Sequence, residues 1–289
     1  MFVGASRPHL GSDLRFRFAT YYSDLYNLHI LGGYTVFYEN GEFRVPDGIT
    51  LLRVLAVGGG GGSGSGNNEG GGSGYVKSGV FSVQSGVSFD ITVGVGGVGG
   101  SKGISDGSTG QTAGGISKFG TLLSASGGLT SGSWFSGGNG GSGGGAGGAC
   151  DSVSGFAGTD GSDGADCVKH SLIHPSNWGR GGKGQGSLTN QCLIFKRNKF
   201  SKAEGGKRGG TISARTNVIG GSGGGGLLMN GMGPRGEDGR GVAFGYGGTG
   251  YGAGAGAGGF LMKTVNGTSV KDDVGGGVGA SGIVYIEWD

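Results

Sequence analysis

The run Gly282–Trp288, GIVYIEW, is an apolar, β-branched and aromatic strand that closes the sequence. Such a strand needs partners, because its backbone groups must be hydrogen-bonded and its side chains buried. The nearest good partners lie on the far side of a long glycine-rich stretch. That stretch is therefore expected to be an insertion between strands of one sheet system, and not a tail. The other strands form a frame bounded by turn residues. Tyr34–Tyr38 alternates, Glu39-Asn40-Gly41 turns, Glu42–Val45 follows and Pro46-Asp47-Gly48 turns again. Leu51–Val57 is continuously apolar and suits a buried strand. Val76–Val83 and Val87–Val95 read as a hairpin about Gln84-Ser85-Gly86, and Ile116–Ala125 as a further hairpin. The closing strand is expected to pack on the sheet of Leu51–Val57, through either Ile283, Tyr285 and Trp288 or the opposite set Val284 and Ile286.

Between these strands lies the glycine, 81 residues of 289. Collagen is excluded, since it needs abundant proline and only 4 are present. Hydrophobic residues make up 34% and the net charge is only +3, which argues against wholesale disorder. Glycine costs about 1 kcal/mol per helical position relative to alanine, so almost no helix is expected. No apolar run reaches the length of a membrane-spanning helix. The opening MFVGASRPHLGSDLRF lacks the apolar core and cleavage site of a secretory signal, so export by another route or a fragment of a longer protein is expected.

The filling covers 58–74 and 96–281. Its glycines recur locally every third residue, as in Gly155, Gly158, Gly161 and Gly164, and in Gly233, Gly236 and Gly239. An extended threefold helix of the polyproline-II type has three residues per turn and no internal hydrogen bonds. Glycine segments of this type can lie side by side and pair their backbones with each other; the competing reading is a flexible linker. A long floppy connection between two strands of one sheet is an improbable design. One part differs: Lys169–Arg215 holds ten Lys and Arg against Glu204 alone, with His170, His174 and Trp178. It is expected to project from the glycine bundle as a loop.

Gly59, Gly61 and Gly64 match G-x-G-x-x-G after a strand, but the following Ser65–Gly72 will not form the helix that a dinucleotide fingerprint requires. Gly182-Lys183-Gly184 has glycine where a phosphate-binding loop needs Ser or Thr. Cys150, Cys167 and Cys192 lack paired zinc-knuckle spacing. Cys150 and Cys167 can bridge around Asp151, Asp160, Asp163 and Asp166, or all three thiols stay unpaired; the spacing favours neither. The aspartates lack the nonapeptide spacing of calcium repeats. His170 and His174 have no Glu partner for H-E-x-x-H, and no nucleophile elbow opens onto a helix. The expectation is no enzyme, no cofactor and no metal. Arg180-Gly181-Gly182 and Arg208-Gly209-Gly210 are the full Arg-Gly-Gly matches, too few and too poor in aromatics to favour nucleic acid over other partners.

Three stretches carry a resemblance: Tyr34–Gly66, Gly74–Gly100 and Gly279–Asp289. They share a strand ending in V-P-x-G, an apolar strand entering polyglycine, a hairpin ending in V-G-x-G-G and a closing G-x-V-x-I strand. In that order they resemble the glycine-rich domain family of invertebrate, microbial and phage tail-fibre proteins. They are also similar to the glycine-rich extracellular region of the anaplastic lymphoma kinase and leukocyte tyrosine kinase receptors. The resemblance implies a mainly β, jelly-roll-like scaffold over residues 33–289, with frame segments at 33–57, 75–95, 116–125 and 280–289. It also implies an inserted polyglycine-II bundle and a non-enzymatic recognition role at an extracellular or virion surface. Residues 1–32 then form an extension or part of a preceding region. The expected partner is a protein or glycan on a cell surface. The candidate contacts are Lys196, Arg197, Lys199, Lys202, Lys207 and Arg208, with Trp134, Phe135 and Trp178. The competing expectations are a structural or ice-binding protein, and nucleic-acid binding by the basic segment.

Overall fold

A computed structural model describes residues 32–64, 70–101, 110–130, 138–140, 148–149, 194–203, 205–206, 217–221, 223–240, 244, 246–258, 260–265, 268–271 and 275–289. The described residues are mainly β, in antiparallel sheets, with no helix among them. The frame strands are β1 (Gly33–Phe37), β2 (Gly41–Arg44), β3 (Leu51–Val57), β4 (Val76–Ser82), β5 (Ser88–Thr92), β6 (Ser117–Phe119) and β7 (Leu123–Ala125). Short strands follow: β8 (Gly148–Ala149), β9 (Phe200–Lys202), β10 (Asn217–Ile219), β11 (Leu227–Met229), β12 (Phe260–Val265) and β13 (Thr268–Lys271). The closing run is β14 (Ile283–Trp288).

β14 enters the middle of a four-stranded sheet in the order β1-β14-β3-β4. It pairs antiparallel with β3, from Ile283 opposite Val57 to Glu287 opposite Arg53. It also pairs antiparallel with β1, with Tyr34 opposite Glu287 and Val36 opposite Tyr285. A second sheet has the order β2-β5-β6-β7. Between the two sheets lies a core built from Phe43, Leu52, Val54, Ile91, Phe119, Val284 and Ile286, with Phe37 and Trp288 packed on it. A second cluster covers the opposite face of the first sheet, joining Leu55, Val57, Ile283 and Tyr285 to Phe195 and Leu227. Burial on both faces explains why β3 and β14 read as apolar runs, broken only by Arg53 and Glu287, which face each other across the pair.

Both sets of β14 side chains are therefore buried, one on each face, and the expected grouping needs one change. Strand parity puts Trp288 with Val284 and Ile286 against the core between the sheets, and not with Ile283 and Tyr285. The hairpin expected about Gln84-Ser85-Gly86 does not form either. β4 pairs with β3 and β5 with β2, so this turn carries the chain from one sheet to the other. Gly86, at φ 78°, supplies the left-handed residue of that corner. The hairpin β6–β7 forms as expected.

The described part of the glycine filling is tied together by backbone hydrogen bonds whose direction repeats every third residue. Gly58 and Gly61 donate to Tyr75 and Gly72, Gly59 and Gly62 to Gly115 and Thr112, Gly60 and Ser63 to Ala280 and Gly277. Their carbonyls accept from three further segments: Gly60 from Gly97, Ser63 from Gly100, Gly59 from Gly128 and Gly61 from Ala255. A strand would bond alternately to two neighbours; this segment bonds to six. Side chains would prevent such packing, since a Cβ on Gly60 would overlap the carbonyl of Ala253. Two buried serines stitch the arrangement. Ser63 Oγ donates to the Gly256 carbonyl at 2.5 Å and accepts from Gly277 N–H. Ser117 Oγ donates to the Val57 carbonyl at 2.6 Å and accepts from Gly94 N–H, joining sheet to filling.

Candidate functional site

Within the basic segment, residues 194–203 do not project as a loop; they lie on the first sheet. Phe195 and Phe200 are the anchors. Their rings meet each other at 5.3 Å and the ring of Tyr285 at 5.4 and 5.1 Å, edge to face. This geometry favours aromatic pairs beyond the area they bury. The two phenylalanines that interrupt the basic run are thus its hydrophobic feet.

Beside them stands Glu287, fully buried on β14. A buried carboxylate is costly unless its oxygens are satisfied. Its Oε1 accepts the backbone N–H of Lys196 at 2.9 Å. Its Oε2 accepts Arg197 N–H at 3.2 Å and the Tyr285 hydroxyl at 2.7 Å. The Arg53 guanidinium lies 3.9 Å away. The network continues outward. Asn198 Nδ2 donates to the Tyr285 hydroxyl at 2.9 Å, and Asn230 Nδ2 donates to Asn198 Oδ1 at 2.6 Å. Asn230 then accepts Lys199 N–H at its Oδ1 and donates its own N–H to the Lys199 carbonyl. Asn230 and Gly231, at φ 53° and 78°, form a tight left-handed turn that β11 presents to the segment. Burial pushes the Tyr285 phenol well above its ordinary range.

With the backbone held from below, the basic side chains are left outside. Lys196, Arg197 and Lys199 are exposed. Lys196 Nζ reaches Asp289 Oδ2 at 2.7 Å, and Arg53 reaches the same oxygen at 2.5 Å. The Arg53 and Lys196 hydrogen bonds hold the Asp289 carboxyl down at about 2. Among the described residues no acidic side chain pairs with Arg197 or Lys199. The Arg197 guanidinium lies against Gly32, the residue just before β1. On the same face Tyr34, 51% exposed, stacks on Tyr285 with centroids 5.6 Å apart. Tyr38, 56% exposed, lies 6.0 Å from the Tyr251 ring.

Lys202 falls in β9, opposite Leu227. Lys207, Arg208, Trp134, Phe135, Trp178, Cys150 and Cys167 lie outside the described residues. Sequence reasoning missed Glu287, Asn198 and Asn230, and the tyrosines Tyr34 and Tyr38. One signal was available for the first: an acidic residue inside the apolar run GIVYIEW demands a buried partner. Among the described residues no group of His, Cys, Asp and Glu is placed to hold a metal, and no helix is long and apolar enough to cross a membrane.

The sequence profile of a glycine-rich domain matches residues 38–289, most of the chain. The chain belongs to the glycine-rich domain family. The matched span of this glycine-rich domain takes in both the strand that carries Glu287 and the segment that Glu287 holds. No curated protein matches the chain.

Proposed function

We propose that this glycine-rich domain is a non-enzymatic recognition and display module that binds an anionic partner on a cell surface. Its setting would be extracellular or on a virion. One observation carries the reading: exposed Lys196, Arg197 and Lys199 project from a backbone gripped by the buried carboxylate of Glu287 at the first two and by Asn230 at the third. Ordered cations recognise anions at less entropic cost than a mobile basic loop does. The two facing antiparallel sheets are read as a jelly-roll-like scaffold. The threefold bonding of 58–63 is read as polyglycine-II packing, a rigid base for the display. The resemblance to receptor and tail-fibre glycine-rich regions is in keeping with this role.

The test is binding to immobilised heparin, and to DNA of matched charge density, across a salt series. The Arg197→Glu/Lys199→Glu protein is expected to bind heparin about tenfold or more weakly with unchanged melting, because the interaction is electrostatic and screened by salt. Unchanged heparin binding by that variant would overturn the assignment of this surface. A preference for DNA over heparin would redirect the reading to nucleic acid.

A further inference from the structure

β1 is the end strand of its sheet: β14 occupies one side, and no described residue bonds to the other. In an antiparallel strand alternate residues direct N–H and C=O outward, so an end strand presents a row of unmade hydrogen bonds. Proteins usually blunt such an edge with proline, lysine or a bulge. β1, GYTVF, has none of these, whereas β4 at the opposite edge carries Lys77. None of the five residues of β1 is buried, in contrast to its neighbour β14.

The two faces beside this edge differ in chemistry. Tyr34, Val36 and Tyr38 lie on the face of Tyr285 and Glu287, where Arg197 and Lys199 stand exposed without acidic partners among the described residues. Thr35 and Phe37 lie on the other face, and Phe37 packs against the core between the sheets. An added strand would therefore meet cations and phenols on one side and apolar surface on the other. Pairing of β1 with a second copy of itself would bring the basic clusters together and is disfavoured by repulsion.

We infer that β1 is a docking edge for an extended acidic segment of a partner protein, whose acidic side chains alternate with apolar ones. Main-chain hydrogen bonds to β1 supply the affinity, and Arg197 and Lys199 select the charge. This rests on the recognition reading above and names its partner.

A ten-residue peptide alternating glutamate and valine is the probe. Its binding to the full chain is followed by fluorescence anisotropy, together with amide exchange at residues 33–37. The expected result is binding that slows exchange in β1 about tenfold or more, as buried sheet amides do. N-methylation of every second residue in one phase abolishes that binding, and Arg197→Glu/Lys199→Glu weakens it. Peptide binding without protection of β1, or equal binding by both N-methylated phases, would overturn the inference. So would self-association of the protein alone through β1. Heparin binding with no peptide binding removes this inference and leaves the recognition reading standing. If neither binds, both fall.

Discussion

The buried carboxylate of Glu287 accepts the backbone N–H of Lys196 at 2.9 Å, joining the closing strand to the middle of the glycine-rich insertion. The same group holds Arg197 N–H and the Tyr285 hydroxyl. Glu287→Ala leaves two amides and a phenol without their acceptor. Unsatisfied buried groups of this kind and a broken buried ion pair cost about 3 kcal/mol or more. Urea denaturation of the variant should show a lower midpoint, and amide exchange at residues 196 and 197 should quicken.

The glycine bundle makes a position-specific demand. Gly60→Ala drives a methyl group into the Ala253 carbonyl, a backbone atom that cannot turn aside. Gly275 is also buried, yet a Cβ there would have its nearest neighbour at 3.6 Å, in ordinary contact. Gly60→Ala should destabilise by about 3 kcal/mol or more. Gly275→Ala should stay within about 1 kcal/mol. Thermal melting of the two variants checks this, and equal melting would show that backbone approach does not hold the filling together.

Burial, and then the hydrogen bond with Tyr38, push the Tyr251 phenol up to about 12. The folded state therefore favours the protonated form. The contribution is intact below the ordinary tyrosine range near 10 and is lost as pH rises through about 12. Ultraviolet difference titration should show two late-ionising phenols in the native protein, Tyr251 and Tyr285. Tyr38→Phe should bring the Tyr251 ionisation part of the way down, since burial remains, and leave that of Tyr285 in place.

Much of the frame was legible in the sequence. Leu51–Val57 is β3 residue for residue, and the closing run is β14 less its first glycine. These strands are buried on both faces, so their composition alone marks them. Partner choice was less legible, because Gln84-Ser85-Gly86 suits a hairpin and a corner between sheets equally well. The hairpin β12–β13 was missed although Asn266-Gly267 separates its strands, a strong hairpin signal submerged in glycine-rich surroundings. Within the basic segment, the stretch 194–203 reads as a projecting loop because charge dominates its composition. Its placement is decided by Phe195, Phe200 and one distant carboxylate, and such long-range pairings leave no local pattern.

The most direct test of the display account is the heparin affinity of the Glu287→Gln protein, measured beside Asp289→Asn. Each substitution removes one negative charge, Glu287 from beneath the basic surface and Asp289 from the surface itself. Asp289 is exposed and pairs with Lys196 and Arg53, so Asp289→Asn should tighten binding by freeing both cations. Glu287 fixes the backbone beneath Lys196 and Arg197, so Glu287→Gln should weaken binding despite the gain in positive charge. Tighter binding by both variants would contradict the account, because charge alone, and not its ordered presentation, would then govern recognition.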